Sequence, residues 1–258
     1  MMRDYDGFIG KVYKKTGIDL SSYKERQMKR RIDSLISRNQ FNTYEDYFQA
    51  LCSNTKLLNE FINYLTINVS EFYRNQQQWD VLEKDVIPSL LQHKSKLKIW
   101  SAACSTGEEP YSLVMLLTKF FKLNEINILA TDLDDGAMNK AKTGIYSSKS
   151  IENLPSEFIS KYFDKINDSY MIKDCIKNRV TFKKHNLLEN PYPEKCDLIV
   201  CRNVMIYFTE ETKNKMYHRF HDSLDSNGVL FVGSTEQIIL PNRYRLTPLK
   251  TFFYQKVK

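Results

Sequence analysis

From Ser95 to its end the chain alternates short apolar runs with longer helical ones, and this alternation constrains the fold more than any other feature. Leu97 to Ala103 is an expected strand, and Pro110 to Phe121 an expected helix with proline in its first turn. Asn127 to Asp132 is a second strand, followed by a short helix from Asp135 to Lys142. Val180 to Asn186, Asp197 to Arg202 and Gly228 to Gly233 are further strands. A helix from Thr209 to Leu224, with acids in its first turn, separates the last two. Tyr244 to Val257 fits a hairpin with Thr251 to Tyr254 in its second arm. Strands separated by helices build a largely parallel sheet covered on both faces, so the fold class is α/β. Tyr146 to Asn178 is too long for an ordinary connection. It carries elements of its own, a helix start at Pro155 to Phe158 and a strand-like Ser169 to Ile172.

The first 75 residues differ and are expected to be helical throughout. Ser21-Ser22 is positioned to cap a helix from Tyr23 to about Arg38, whose Met28, Ile32, Leu35 and Ile36 recur at helical spacing and should face a core. Lys24, Arg31 and Arg38 recur every seven residues beside Arg26 and Arg30, placing cations on another part of that helix. Asn42-Thr43 starts a helix from Tyr44 to Leu51, and another follows from Leu57 to Leu65. The expected division is 1–75 for a helical domain and 76–258 for the sheet domain, with an insertion at about 146–179.

The net charge of +7 suggests an anionic partner: nucleic acid, a membrane surface or an acidic protein. No window approaches the roughly 18 apolar residues of a membrane span. The opening Met-Met-Arg-Asp-Tyr-Asp lacks the apolar core of a secretory signal, so a cytoplasmic location is expected. The five cysteines form no C-x-x-C pair and have no histidines at zinc spacing, so no metal is expected. Cys104 has no accompanying histidine to activate it and is expected to pack as a small residue.

In an open α/β sheet, ligands bind beyond the carboxyl ends of the strands. Those ends present Ser101 to Glu109, then Asp132, Asn186 and Asn203. Asp132 lies about 25 residues past the glycine-containing loop, where an acid accepts both hydroxyls of a ribose. Gly107 is expected to let a ligand approach, and the amides opening the next helix suit a carboxylate. The G-x-G-x-x-G fingerprint is missing, and a pyrophosphate beside Glu108 and Glu109 would crowd like charges. A ribose clamp, an anion site and a carboxylate for an ammonium together suit S-adenosylmethionine. The blander alternative is that the acids only cap a helix.

Five blocks, in order, resemble the chemotaxis-receptor glutamate methyltransferases, the CheR family. They are Asn68-Val69-Ser70-Glu71-Phe72-Tyr73-Arg74, Trp100 to Ser112, Ala130-Thr131-Asp132, His185-Asn186-Leu187-Leu188, and Cys201 to Phe208. The resemblance covers nearly the whole chain. It implies a Rossmann-like S-adenosylmethionine-dependent methyltransferase sheet, a small N-terminal all-helical domain and an inserted small β-subdomain. It also implies a cofactor site of Asn68, Ser70, Arg74, Ala102, Glu108, Asp132, Asn186, Leu187, Asn203 and Val204. Ser70 stands where threonine is common and Tyr73 where phenylalanine is common; the hydroxyl is kept.

The implied reaction transfers a methyl group to receptor glutamates, giving glutamyl methyl esters and S-adenosylhomocysteine for sensory adaptation. Arg74 and Tyr207 are the candidates for holding the acceptor carboxylate, because a guanidinium fork and a phenol both donate to it. In isolation Arg74 equally suits a helix-end salt bridge, and Tyr207 a core position. Lys24, Arg31 and Arg38 would meet the acidic helical cytoplasmic region of methyl-accepting receptors. In some relatives the β-subdomain holds a receptor tail peptide by strand addition. The short, glycine-free turn from Asp164 to Ser169 argues against that dependence here. The expected protein is a monomer without nucleic acid or membrane insertion, reaching receptor arrays through the receptors.

Two rivals stand beside this reading. A nucleic-acid methyltransferase suits the basic charge, but Arg202-Asn203-Val204-Met205 replaces the Asn/Asp-Pro-Pro-aromatic run expected after the fourth strand, and Asn190-Pro191-Tyr192-Pro193 precedes that strand as a turn. A non-catalytic receptor-binding module is the other, and it leaves the complete set of site residues without a purpose.

Overall fold

The computed structural model describes residues 4–257, leaving Met1 to Arg3 and Lys258 of the expected domains outside it. Its contacts divide it into two units. The first runs to Asn68 and includes 207–216; the second comprises 69–206 and 217–258.

Four helices build most of the first unit. α1 (Tyr5–Thr16) is capped by the Asp4 carboxylate, which accepts from the Gly7 amide at 2.9 Å, and ends on Gly17 in the left-handed region. α2 (Glu25–Arg38) begins later than the sequence suggests. Asp19 takes both serine hydroxyls, at 2.6 and 2.7 Å, and holds Leu20–Ser22 in a 3-10 turn, so neither serine is left to cap α2. α3 (Tyr44–Ser53) and α4 (Thr55–Thr66) carry side-chain caps from Thr43 and Asn54. The predicted apolar positions of α2, Met28, Ile32, Leu35 and Ile36, are buried. Phe8 and Tyr47 meet Phe61 edge-on, with ring centroids 6.1 and 5.9 Å apart.

Helix does not continue to residue 75. Ile67, Tyr73 and Asn75 have φ of 51°, 50° and 61°, which no right-handed helix accommodates. Thr43 carries the α3 start reciprocally with Asp46, its oxygen accepting the Asp46 amide at 3.0 Å and its hydroxyl donating to the carboxylate at 2.6 Å. Thr43→Ala is therefore expected to cost about 1 kcal/mol, read as a lower urea midpoint.

The second unit opens with α5 (Gln76–Val81), which passes through a π-helical turn at Leu82–Val86 into α6 (Ile87–Leu91). Its main sheet contains β1 (Ile99–Ala102), β2 (Ile128–Asp132), β6 (Val180–Lys184), β7 (Cys196–Cys201), β8 (Leu224–Val232), β9 (Leu246–Lys250) and β10 (Phe253–Lys256). The spatial order is β6-β2-β1-β7-β8-β10-β9. The first five strands in that order pair in parallel, and β8, β10 and β9 pair antiparallel. Every residue of β1 and β7 is buried, as a parallel strand covered on both faces requires.

Helices α7 (Glu108–Leu117), α8 (Asp135–Thr143) and α10 (Asp174–Lys177) alternate with the strands, and α11 (Glu210–Ser223) begins in the first unit and ends in the second. Chain order diverges between β1 and β7, opening a crevice at their carboxyl ends. The insertion forms a separate antiparallel sheet. Its β3 (Ile145–Ser147), β4 (Phe163–Ile166) and β5 (Ser169–Ile172) lie in the order β3-β5-β4, with α9 (Ser156–Tyr162) leading into β4.

Candidate active site

The loop leaving β1 is bent by a run of left-handed residues. Ala103, Ser105 and Gly107 have φ of 63°, 48° and 95°. Backbone strain of this kind persists where surrounding structure imposes it. Here Cys104 donates its amide to the Thr131 carbonyl at 2.9 Å, and Ser105 donates its amide to Asp132 Oδ2 at 2.7 Å. The expected reason for Gly107 needs correction. A Cβ there would stand 2.7 Å from Ala141 Cβ and 3.1 Å from the Tyr146 hydroxyl, so protein packing by itself already requires a glycine here. Cys104 is buried, and burial pushes its thiol well above the usual range, leaving a packing residue.

The two glutamates that follow are separated by their partners. Glu108, only 4% exposed, accepts from the Thr106 hydroxyl at 2.7 Å and from Ser70. Burial raises its pKa, and the groups offsetting this are hydroxyls and a backbone amide. Glu109 turns inward instead, accepting from Ser101 Oγ at 2.8 Å and lying 3.7 Å from Arg202 Nη1. Burial outweighs the arginine and pushes Glu109 up to about 7. The folded chain therefore holds this proton more tightly than the unfolded one, and stability falls as pH rises from 4.5 toward 7. At about 1.36 kcal/mol per unit, this group contributes a loss of about 3 kcal/mol. Glu109→Gln is expected to flatten that fall, measured by urea unfolding at about pH 5 and about pH 8.

The remaining strand ends of this unit contribute one polar group each. Asp132 closes β2, buried, with Oδ1 accepting from the Asp134 amide at 2.9 Å. Burial raises its pKa too. The Asp132 carbonyl accepts from the His185 amide at 2.9 Å, fixing the loop that carries Asn186 and buried Leu187. Asn186 Oδ1 accepts from the Leu188 amide at 3.0 Å. Ala102 is buried in β1. Asn203, with φ of 59°, and Val204 follow β7. Arg74 is half-buried and donates Nη1 to the Val69 carbonyl at 3.1 Å.

The sequence marks Glu109 only as a strand-end acid and gives no role to Arg202 or Glu236, the other two residues of consequence at this rim. Glu236 accepts from the amides of Asn203, Gly233 and Ile206 at 2.6, 2.8 and 3.2 Å. A glycine ending a strand with a glutamate three residues on was the available signal.

The other candidates belong to the first unit. Asn68 donates Nδ2 to Thr66 Oγ1 at 3.1 Å. Tyr207 is half-buried, and its carbonyl accepts from the Lys24 amide at 2.9 Å. The Lys24 side chain is exposed. Arg31 donates to the Tyr64 carbonyl and stacks 4.5 Å from that ring. Arg38 pairs with Glu60 at 2.7 Å while its side chain remains 58% exposed. Both arginines thus engage α4, whereas Arg26 and Arg30 are exposed without an ion pair among the described residues.

S-adenosylmethionine fits the residues of the second unit. Glu108 and Asp132 are buried carboxylates whose balancing groups are amides and hydroxyls rather than cations. An ammonium and a ribose diol would complement them.

Comparisons with known proteins bear on the whole chain. Residues 68–253 match the family model for the CheR methyltransferase SAM binding domain, and residues 3–66 that for the CheR methyltransferase all-alpha domain. A chemotaxis protein methyltransferase of Listeria innocua is 46% identical over 98% of this chain and 97% of its own length. One from Listeria monocytogenes is 45% identical over the same shares. A Borreliella burgdorferi chemotaxis protein methyltransferase is 36% identical over 88% of this chain and 85% of its own.

Proposed function

Since the chain belongs to the CheR methyltransferase family, we propose that the crevice residues described above hold S-adenosylmethionine beside a receptor glutamate. The enzyme is an S-adenosylmethionine-dependent protein-glutamate O-methyltransferase that modifies chemoreceptors in chemotaxis. The observation carrying the reading of the site is the pair of buried rim carboxylates, Glu108 and Asp132, bonded by a hydroxyl and by backbone amides.

The cofactor, when bound, supplies a methyl group activated by a positively charged sulfur. Glu108 would receive its ammonium and Asp132 its ribose, with Ala102, Asn186, Leu187, Asn203 and Val204 lining the same rim and Ser70 holding Glu108 in place. Asn68 is proposed as a cofactor residue on the family resemblance, and Tyr207 for the acceptor carboxylate because its phenol can donate to it. The acceptor carboxylate is already ionised near neutral pH, so no strong general base is required. Arg74, counted in the cofactor site by the resemblance, is proposed to line that site and also to orient the acceptor carboxylate through its guanidinium fork. An overly tight clamp would slow transfer, because the acceptor loses its charge as the ester forms.

Lys24, Arg31 and Arg38 are proposed to steer an acidic helical segment of the receptor's cytoplasmic region. The protein is proposed to act as a monomer at receptor arrays, without nucleic acid and without needing a tail peptide. Methyl-labelled S-adenosylmethionine, offered with purified receptor cytoplasmic fragments that lack the tail, tests the assignment. Label should enter the fragment and leave as methanol in alkali. Base-stable label, or label on RNA or DNA offered in parallel, would refute it.

A further inference from the structure

Arg202 is 7% exposed at the end of β7, an expensive place for a guanidinium unless its donors are used. Nη2 donates to the Arg74 carbonyl at 2.7 Å, to Gln78 Oε1 at 2.8 Å and to Asn75 Oδ1 at 3.3 Å. Nη1 faces Glu109 at 3.7 Å. The guanidinium also lies 4.7 Å from the Phe231 ring and 5.7 Å from that of Trp79. These groups cover it almost completely, so it is not placed to contact a ligand itself.

What it grips is a strained turn. Tyr73 and Asn75, on either side of Arg74, both have positive φ. Such residues cost about 1–3 kcal/mol each and need outside support. The Arg74 carbonyl receives two donors, Arg202 Nη2 and Trp79 Nε1, the second at 3.0 Å. The Tyr73 amide donates to Ser112 Oγ at 3.2 Å, tying the same turn to α7. Arg202 is also the chain neighbour of Asn203, and its ion-pair partner Glu109 is the chain neighbour of Glu108. One buried group therefore joins the Arg74 turn, the first turn of α7 and the loop after β7, each bearing a proposed cofactor residue. Nη2 carries all three bonds while Nη1 faces Glu109, two points that the rigid guanidinium plane occupies together and the single nitrogen of a lysine does not.

We propose that Arg202 is a positioning residue: it holds the backbone of Arg74 so that the Arg74 side chain is presented to the crevice in one orientation. This rests on the reading that Arg74 serves the cofactor site. Calorimetric binding of S-adenosylhomocysteine to four full-length proteins tests it: the parent, Arg202→Lys, Arg74→Ala and the double variant. Arg202→Lys should weaken binding about tenfold in the parent and by less than about twofold in the Arg74→Ala background, because residues of one network are not additive. Its effect on the unfolding midpoint should be the same in both backgrounds.

Equal weakening of binding in both backgrounds would overturn the inference, as would no weakening in the parent. If Arg74→Ala alone binds like the parent, the reading of Arg74 fails and the inference falls with it, a result distinguishable from the first two. Should Arg202→Lys not fold, Gln78→Met removes one acceptor at similar volume. It should weaken binding about threefold, again only when Arg74 is present.

Discussion

A Glu236→Ala chain is expected to lose about 4 kcal/mol of stability, because four backbone amides would lose their common acceptor. Glu236 is 5% exposed and accepts from the amides of Asn203, Gly233 and Ile206, with a further backbone bond from Met205. A buried amide left unsatisfied costs about 1–3 kcal/mol, and partial rehydration brings the sum below four separate penalties. Gly233 shows how closely the loops meet: a Cβ there would lie 2.5 Å from Glu236 Oε2 and 2.9 Å from the Asn203 amide nitrogen. Glu236→Gln keeps the volume and one acceptor oxygen, so about half the loss is expected. Urea unfolding of the three proteins checks this, and a loss under about 1 kcal/mol for alanine would show that water replaces the carboxylate.

That prediction turns on a residue to which local pattern assigned no role, and the reason is general to this site. Parallel strands announce themselves because both faces are covered, as in the unbroken apolar stretch from Leu198 to Cys201. Position at a strand end was enough to pick out Asp132, Asn186 and Asn203. Element ends were harder. α7 starts at Glu108 and closes at Leu117, since the left-handed Gly107 begins it and the Phe120 amide turns back to the Leu117 carbonyl. β8 begins at Leu224, ahead of the expected Gly228, because Leu224 pairs with Cys196 across a register shift. The residues from Gln76 to Leu91 carry no clear element signal, and their π-turn has no simple sequence period. Arg202, Glu109 and Glu236 owe their roles to contacts far apart in sequence, such as Arg202 with Arg74, 128 positions away. Local periodicity carries no information about such pairs.

Asp132→Asn is expected to weaken S-adenosylhomocysteine binding about 30- to 1000-fold, although only one oxygen becomes an amide nitrogen. Both carboxylate oxygens already accept a backbone amide, Ser105 at 2.7 Å and Asp134 at 2.9 Å. The Leu133 amide adds a third bond, and because a carboxylate offers about four lone-pair sites, one stays open for a ribose hydroxyl. An asparagine places an NH2 group against one of these amides, donor facing donor. The loop must then shift, or the amide must go without a partner. One hydroxyl bond to a charged acceptor is lost at about 1.5–3 kcal/mol, and the displaced Ser105 loop adds to that. The same loop leads through Gly107 to Glu108, so the penalty spreads to the end of the crevice proposed for the ammonium. Titration calorimetry against S-adenosylhomocysteine gives the constant, and the unfolding midpoint shows whether the fold survives. A well-folded variant that binds within about threefold of the parent would remove Asp132 from the cofactor site, since a charged acceptor of a ribose hydroxyl cannot be replaced at so small a loss.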